Sequence, residues 1–165
     1  MTIDQVNALP RPEFVDALGW IFEHSPWVAE RVWERRPFAS WEDLHGKMRG
    51  TVDAATHSEQ LVLLQAHPDL GTRARMSAAS QTEQAGAGLD RVPSYELEIL
   101  LALNSEYREK FGFPFIYAVK GSPAQDILSA LMLRLEGSPE EEFGEALRQV
   151  YRIAWFRLSD QFKGA

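Results

Sequence analysis

The stretch KFGFPFIYAV, residues 110–119, packs four aromatic side chains around Gly112 and Pro114. Its β-branched and aromatic residues would suit a strand. Pro114 would remove a ladder donor, however, and alternating strand patterns that could pair with it are missing elsewhere in the sequence. The reading that fits is an extended, non-helical segment, about residues 111–120, threaded between helices. Buried peptide groups outside a regular ladder need partners, which side chains, water or a ligand can supply.

Outward from this segment, helix punctuation is dense. Pro12 opens a helix to about Glu23, with Phe14, Leu18 and Ile21 on one face. Ser25 and Pro26 read as N-cap and first turn of a helix to about Arg35. Ser40 caps the next, with Trp41, Leu44 and Met48 apolar, and Ser58 caps EQLVLLQAH. Ser80 and Glu83 have the spacing of a reciprocal capping box. Ser94 starts a long helix to about Lys110, with Leu97, Leu100, Leu101, Asn104 and Tyr107 on its inner stripe. PAQDILSALMLRL is apolar nearly all round, so a central position is expected. Ser138 and Pro139 open the last helix, whose buried row is Phe143, Leu147, Val150, Ala154 and Leu158. The fold class is all-α: a single-domain bundle of about eight or nine helices over residues 1–165 with one extended segment.

Bulk properties narrow the function. The 165 residues suffice for one sizeable core. With no cysteine, neither a disulfide nor a thiolate metal site is possible. The opening MTIDQVNALP lacks the basic start and apolar run of a signal peptide. No run approaches the roughly 18 apolar residues of a membrane span, so a soluble cytoplasmic protein is expected. Seventeen basic against 24 acidic residues give a net charge of −7, which argues against a nucleic-acid surface. An anionic substrate would need a local cation, because the overall field repels it.

Four histidines are present: His24, His45, His57 and His67. None has a metal-ligand spacing such as HExxH, and no phosphate-loop or dinucleotide pattern occurs. His67 stands where a helix stops, in QAHPDLG, and Pro68 fixes its backbone away from the α region. A rigidly mounted imidazole suits proton transfer near neutral pH; a plain helix stop is the alternative. Glu83 reads equally as the partner of Ser80 in a cap. Arg157 borders the buried row of the last helix, where it either pairs with a carboxylate or points at a bound one. Asn104 on a leucine stripe reads first as a packing hydrogen bond.

Together, AHPDLG, SQTEQAGAGLD, LNSEYREKFGFPFIYAVKG and RIAWFRLSDQF resemble the 2-oxo-4-hydroxy-4-carboxy-5-ureidoimidazoline (OHCU) decarboxylases of urate degradation. The resemblance covers nearly the whole chain, in order. It implies an all-helical, cofactor-independent carboxy-lyase that converts the anionic substrate OHCU to (S)-allantoin and assembles as a homodimer. It places the catalytic histidine at His67 and its acidic partner at Glu83. Substrate contacts fall to Pro68, Ser80, Gln84, Phe115, Ile116, Tyr117, Ala118, Val119, Lys120 and Arg157. Two rival readings are a cofactor-free hydrolase or isomerase acting on a related ureide, and a helical binding module without catalysis.

Overall fold

The computed structural model describes residues 1–70, 83–84 and 94–163. Among these residues there are eight α-helices and no strand, as expected. None of the helices is long and apolar enough to cross a membrane. The chain divides into two units, Met1–Ala66 with Tyr151–Ala165, and His67–Val150.

The first unit holds α1 (Ile3–Ala8), α2 (Arg11–Leu18), α3 (Trp27–Val32), a 3-10 turn (Trp33–Arg35), α4 (Trp41–Asp53) and α5 (His57–Gln65). Helix α3 packs on both α2 and α4. Ser40 caps α4 as expected, its Oγ accepting from the Asp43 N–H at 3.0 Å. The cap of α5 is Thr56 rather than Ser58. Thr56 has Glu59 three residues on, so side chain and main chain satisfy each other's donors reciprocally. Helix α2 stops at Leu18, short of Glu23. At Gly19 a Cβ would lie 3.3 Å from Pro26 Cβ and 2.6 Å from the Val15 carbonyl oxygen, so only glycine admits this turn. Ser25 does not cap α3: its hydroxyl donates to the Glu23 carbonyl at 2.8 Å, and Pro26 takes the N-cap position.

His45 of α4 lies against Trp155 and donates from Nε2 to the Tyr151 carbonyl at 2.8 Å, which fixes its tautomer. Burial, the largest influence, holds its pKa below the ordinary 6.5, and nearby Arg49 adds to that. A histidine whose folded pKa is lowered contributes stability that is present above pH 6.5. That contribution is lost as pH falls through 6.5 toward the folded value. Urea unfolding at pH 7.5 and 5.5 is expected to show wild-type stability dropping on acidification. His45→Gln, which keeps a donor but does not titrate, should show a shallower drop; an equal drop would remove His45 from the acid response.

The second unit holds α6 (Ser94–Phe111), α7 (Ala124–Arg134) and the first part of α8 (Pro139–Leu158), whose residues from Tyr151 onward belong to the first unit. Helix α6 packs on α7. Ser138 Oγ accepts from the Glu141 N–H at 3.2 Å, and Glu141 returns the bond to the Ser138 N–H, so α8 starts where expected. Helix α7 is not wrapped in core. Ile127 and Leu131 are buried, whereas Met132 and Leu133 are 56% and 75% exposed. Leu101 of α6 also faces outward.

Candidate active site

Between α6 and α7 the chain runs without regular structure from Pro114 to Val119. Two glycines in the left-handed region bracket this run, Gly112 at φ 82° and Gly121 at φ 78°. Side chains with a Cβ rarely adopt either conformation, so the helix ends sharply and the segment leaves in a fixed direction. Phe113, Phe115, Ile116, Ala118 and Val119 are buried, Tyr117 is half-buried and Lys120 is exposed. Tyr107 of α6 sits edge-on to both Phe113 and Phe115, at ring separations of 5.9 and 5.5 Å. Removing one such ring, as in Phe115→Ala, destabilises by about 3–5 kcal/mol on general grounds.

Several peptide groups of the segment are already committed. The Ile116 carbonyl accepts from Arg134 Nη1 at 2.6 Å, and the Ala118 N–H donates to Gln149 Oε1 at 3.0 Å. The Val119 carbonyl accepts from the Ser122 N–H at 3.0 Å. Arg134 also pairs with Glu142 at 2.7 Å, both side chains being largely buried. Sequence reasoning missed Arg134, Glu142 and Gln149. The available signal was a face of α8, Glu142, Ala146, Gln149 and Val150, on which polar residues share a buried helical stripe with apolar ones.

His67 belongs to the same unit as this segment and is 6% exposed. The turn that carries it is held from one face of α6. Asn104 Nδ2 donates to the Leu70 carbonyl at 2.8 Å, and Arg108, one turn on, pairs with Asp69 at 3.1 Å. Asn104 is thus the packing hydrogen bond that its stripe suggested, although its Oδ1 is buried without a donor among the described residues. Pro68 is half-buried. Glu83 and Gln84 lie in this unit too, in a short helical stretch, Glu83 half-buried and Gln84 buried. Ser80 lies outside the described residues, and so does its reciprocal cap with Glu83. Among the described residues no three His, Asp or Glu side chains converge in a way that could hold a metal ion.

Arg157 belongs to the other unit, where it is 4% exposed. Its Nη2 donates to Glu23 Oε2 at 3.1 Å, and its Nη1 to the carbonyls of Trp20 and Ile21 at 3.2 and 3.3 Å. Of the two readings its sequence position left open, pairing with a carboxylate is present. His24, at φ 45°, reverses the chain beside Glu23 and so helps bring these acceptors round the guanidinium.

Comparison with known proteins adds to this geometry. The chain is 47% identical over 162 residues to a 2-oxo-4-hydroxy-4-carboxy-5-ureidoimidazoline decarboxylase of Haloferax volcanii, covering 98% of this chain and 96% of that one. It is 51% identical over 159 residues to the uric acid degradation bifunctional protein PucL of Bacillus subtilis. That match covers 96% of this chain but only 32% of the Bacillus protein, so the chain spans about a third of that relative's length. A crystal structure of (S)-allantoin synthase superposes with a TM-score of 0.80 at 34% identity, covering 97% of this chain and 54% of that one. The profile of the OHCU decarboxylases matches residues 7–159, from within α1 to just past α8, and the chain belongs to that family.

Proposed function

We infer that this chain decarboxylates OHCU to (S)-allantoin, with His67 as the acid–base residue, Glu83 as its carboxylate partner and residues 1–165 acting as one OHCU decarboxylase domain. The substrate's own structure explains why no added electron sink is required. Its carboxylate sits on a carbon that also bears a hydroxyl, next to a ring C=N. As the bond to the carboxylate breaks, its electron pair forms a C=C bond and the C=N pair moves onto nitrogen, which takes a proton. The enol so formed loses its hydroxyl proton, and the adjacent carbon gains one; that carbon is the stereocentre of the product.

What the protein must contribute is orientation, charge handling and a proton on one face. His67 handles the proton of the enol step, and Glu83 orients the imidazole. Peptide groups of residues 115–120 hold the amide-rich ring, Phe115 excludes water, and Pro68, Ser80 and Gln84 line the site. Arg157 contributes the cation that the negative overall charge makes necessary. The observation that carries this reading is the buried non-ladder segment in the same unit as His67 and Glu83. The family match along nearly the whole chain supports the chemistry.

The test is the reaction itself: freshly generated urate-oxidation intermediate should yield optically active allantoin faster than it decays unaided. Racemic product at the background rate would reject the reading, and a ureide hydrolase would be exposed by ring opening instead. We read the protein as cytoplasmic and as a homodimer, and the exposed Tyr95, Met132 and Leu133 support the assembly. Leu133→Asp is expected to halve the mass measured by sedimentation equilibrium, and a wild-type protein already monomeric would rule the dimer out.

A further inference from the structure

Among the described residues, two side chains fasten the extended segment along the edge that Ile116 and Ala118 share. Arg134, the last residue of α7, reaches the Ile116 carbonyl from Nη1 at 2.6 Å, while its Nε donates to Glu142 Oε1 at 2.7 Å. Its Nη2 reaches the Tyr107 hydroxyl at 3.3 Å, and that hydroxyl donates to the same Glu142 oxygen at 2.7 Å. The guanidinium lies 4.6 Å over the Phe115 ring. Arg134 and Glu142 therefore form a buried, hydrogen-bonded pair whose fork has one prong on the segment. A second fastener stands two residues on. Gln149 Oε1 accepts from the Ala118 N–H at 3.0 Å, and Gln149 Nε2 donates to Glu145 at 3.0 Å, which fixes which end of the amide faces Ala118.

In an extended chain, residues two apart present their peptide groups to the same edge, and the residue between them to the opposite one. The side chains follow this repeat: Phe115 and Tyr117 stack at 6.0 Å with planes 17° apart. Ile116 and Ala118 thus share the fastened edge. Tyr117, between them, turns its main-chain N–H and C=O the other way, and neither makes a hydrogen bond among the described residues. We propose that Arg134 and Gln149 are positioning residues, which pin the Ile116–Ala118 edge so that the main-chain N–H and C=O of Tyr117 meet the amide edge of the substrate. This rests on the functional reading above and sharpens it. The Ala118 amide serves the protein and the Tyr117 amide serves the ligand.

Amide-resolved NMR of the intact protein, with (S)-allantoin as the probe, tests the division. In the free protein the Ala118 amide should exchange slowly with solvent and Tyr117 quickly. Saturating allantoin should slow Tyr117 exchange and shift its resonance, leaving Ala118 nearly unchanged. The reverse pattern, or no change at Tyr117 when allantoin binds, would overturn the proposal. Gln149→Leu, which removes the acceptor of the Ala118 amide and the bond to Glu145 but no charge, should raise KM and the allantoin Kd about 10- to 100-fold, the scale of a small misplacement of a binding group. The exchanged pair Glu145→Gln with Gln149→Glu rebuilds an acceptor for Ala118 and a donor to it, and should restore much of the lost affinity. A merely structural Gln149 would lower the melting temperature and leave the KM of the folded protein unchanged, which would also overturn the proposal. Failure of the wild-type enzyme to make allantoin would instead fell the functional reading.

Discussion

Replacing His67 with alanine is expected to slow (S)-allantoin formation by roughly 10²–10⁴-fold, the usual contribution of one general acid–base group. The variant should stay folded, because Asn104 and Arg108 hold the turn that carries residue 67 through Leu70 and Asp69. Circular dichroism of the product gives a second readout. Decarboxylation of this substrate proceeds unaided, so residual turnover should drift toward racemic allantoin as control of the protonation face is lost. Glu83→Gln should follow the same trend with a smaller loss, since it misorients the imidazole without removing it. Wild-type rate and chirality in His67→Ala would reject the assignment, whatever the variant's stability.

The second large effect expected is on folding. Glu23 and Arg157 are almost completely buried, with side-chain exposures of 1% and 3%. Glu23→Ala would remove the carboxylate that Arg157 Nη2 meets at 3.1 Å, leaving the buried guanidinium without that counter-charge. Removing one member of such a pair costs about 3–5 kcal/mol, because the remaining charge is stranded away from water. For a chain of this size that corresponds to a fall of about 6–20 °C in melting temperature, measurable by calorimetry. Replacing both residues with apolar ones of similar volume should cost less than either single change. A melting temperature for Glu23→Ala within about 2 °C of wild type would contradict the pairing. Arg157→Lys separates the structural role from the substrate role. It weakens the fork geometry and should raise KM if the arginine also meets a bound carboxylate.

The fold was legible where local chemistry has one solution. Gly112 and Pro114 forbid both helix and ladder, and the segment between α6 and α7 is non-helical as they require. Ser40 and Ser138 sit where caps are needed and serve as caps. Where two hydroxyls compete at the start of α5, Thr56 caps rather than Ser58, because Glu59 stands three residues on and returns the bond to the Thr56 main chain. Ser25 failed as a cap because its hydroxyl turns back to Glu23 in a chain reversal built on His24, which no short-range pattern announces. The apolar sequence of α7 suggested a central helix, yet Met132 and Leu133 face outward; hydropathy reports a preference for burial, not what provides it.

The candidate site was legible only through resemblance. His67, Glu83 and Arg157 each had an ordinary structural reading, and for Arg157 the ordinary pairing is present. Arg134, Glu142 and Gln149 could not be found from spacing, because their partners are on other elements and in the segment itself. Glu142 is one of three consecutive glutamates in the first turn of α8, and only packing distinguishes it from its neighbours.

A crystal structure of this chain with (S)-allantoin bound would decide whether imidazole, carboxylate and bare peptide groups share one small cavity. The ligand should lie within about 3.2 Å of the His67 ring and of the Tyr117 main chain, with Glu83 on the far nitrogen of the imidazole. Allantoin seated elsewhere, or His67 and Glu83 separated by packed hydrocarbon, would contradict the account.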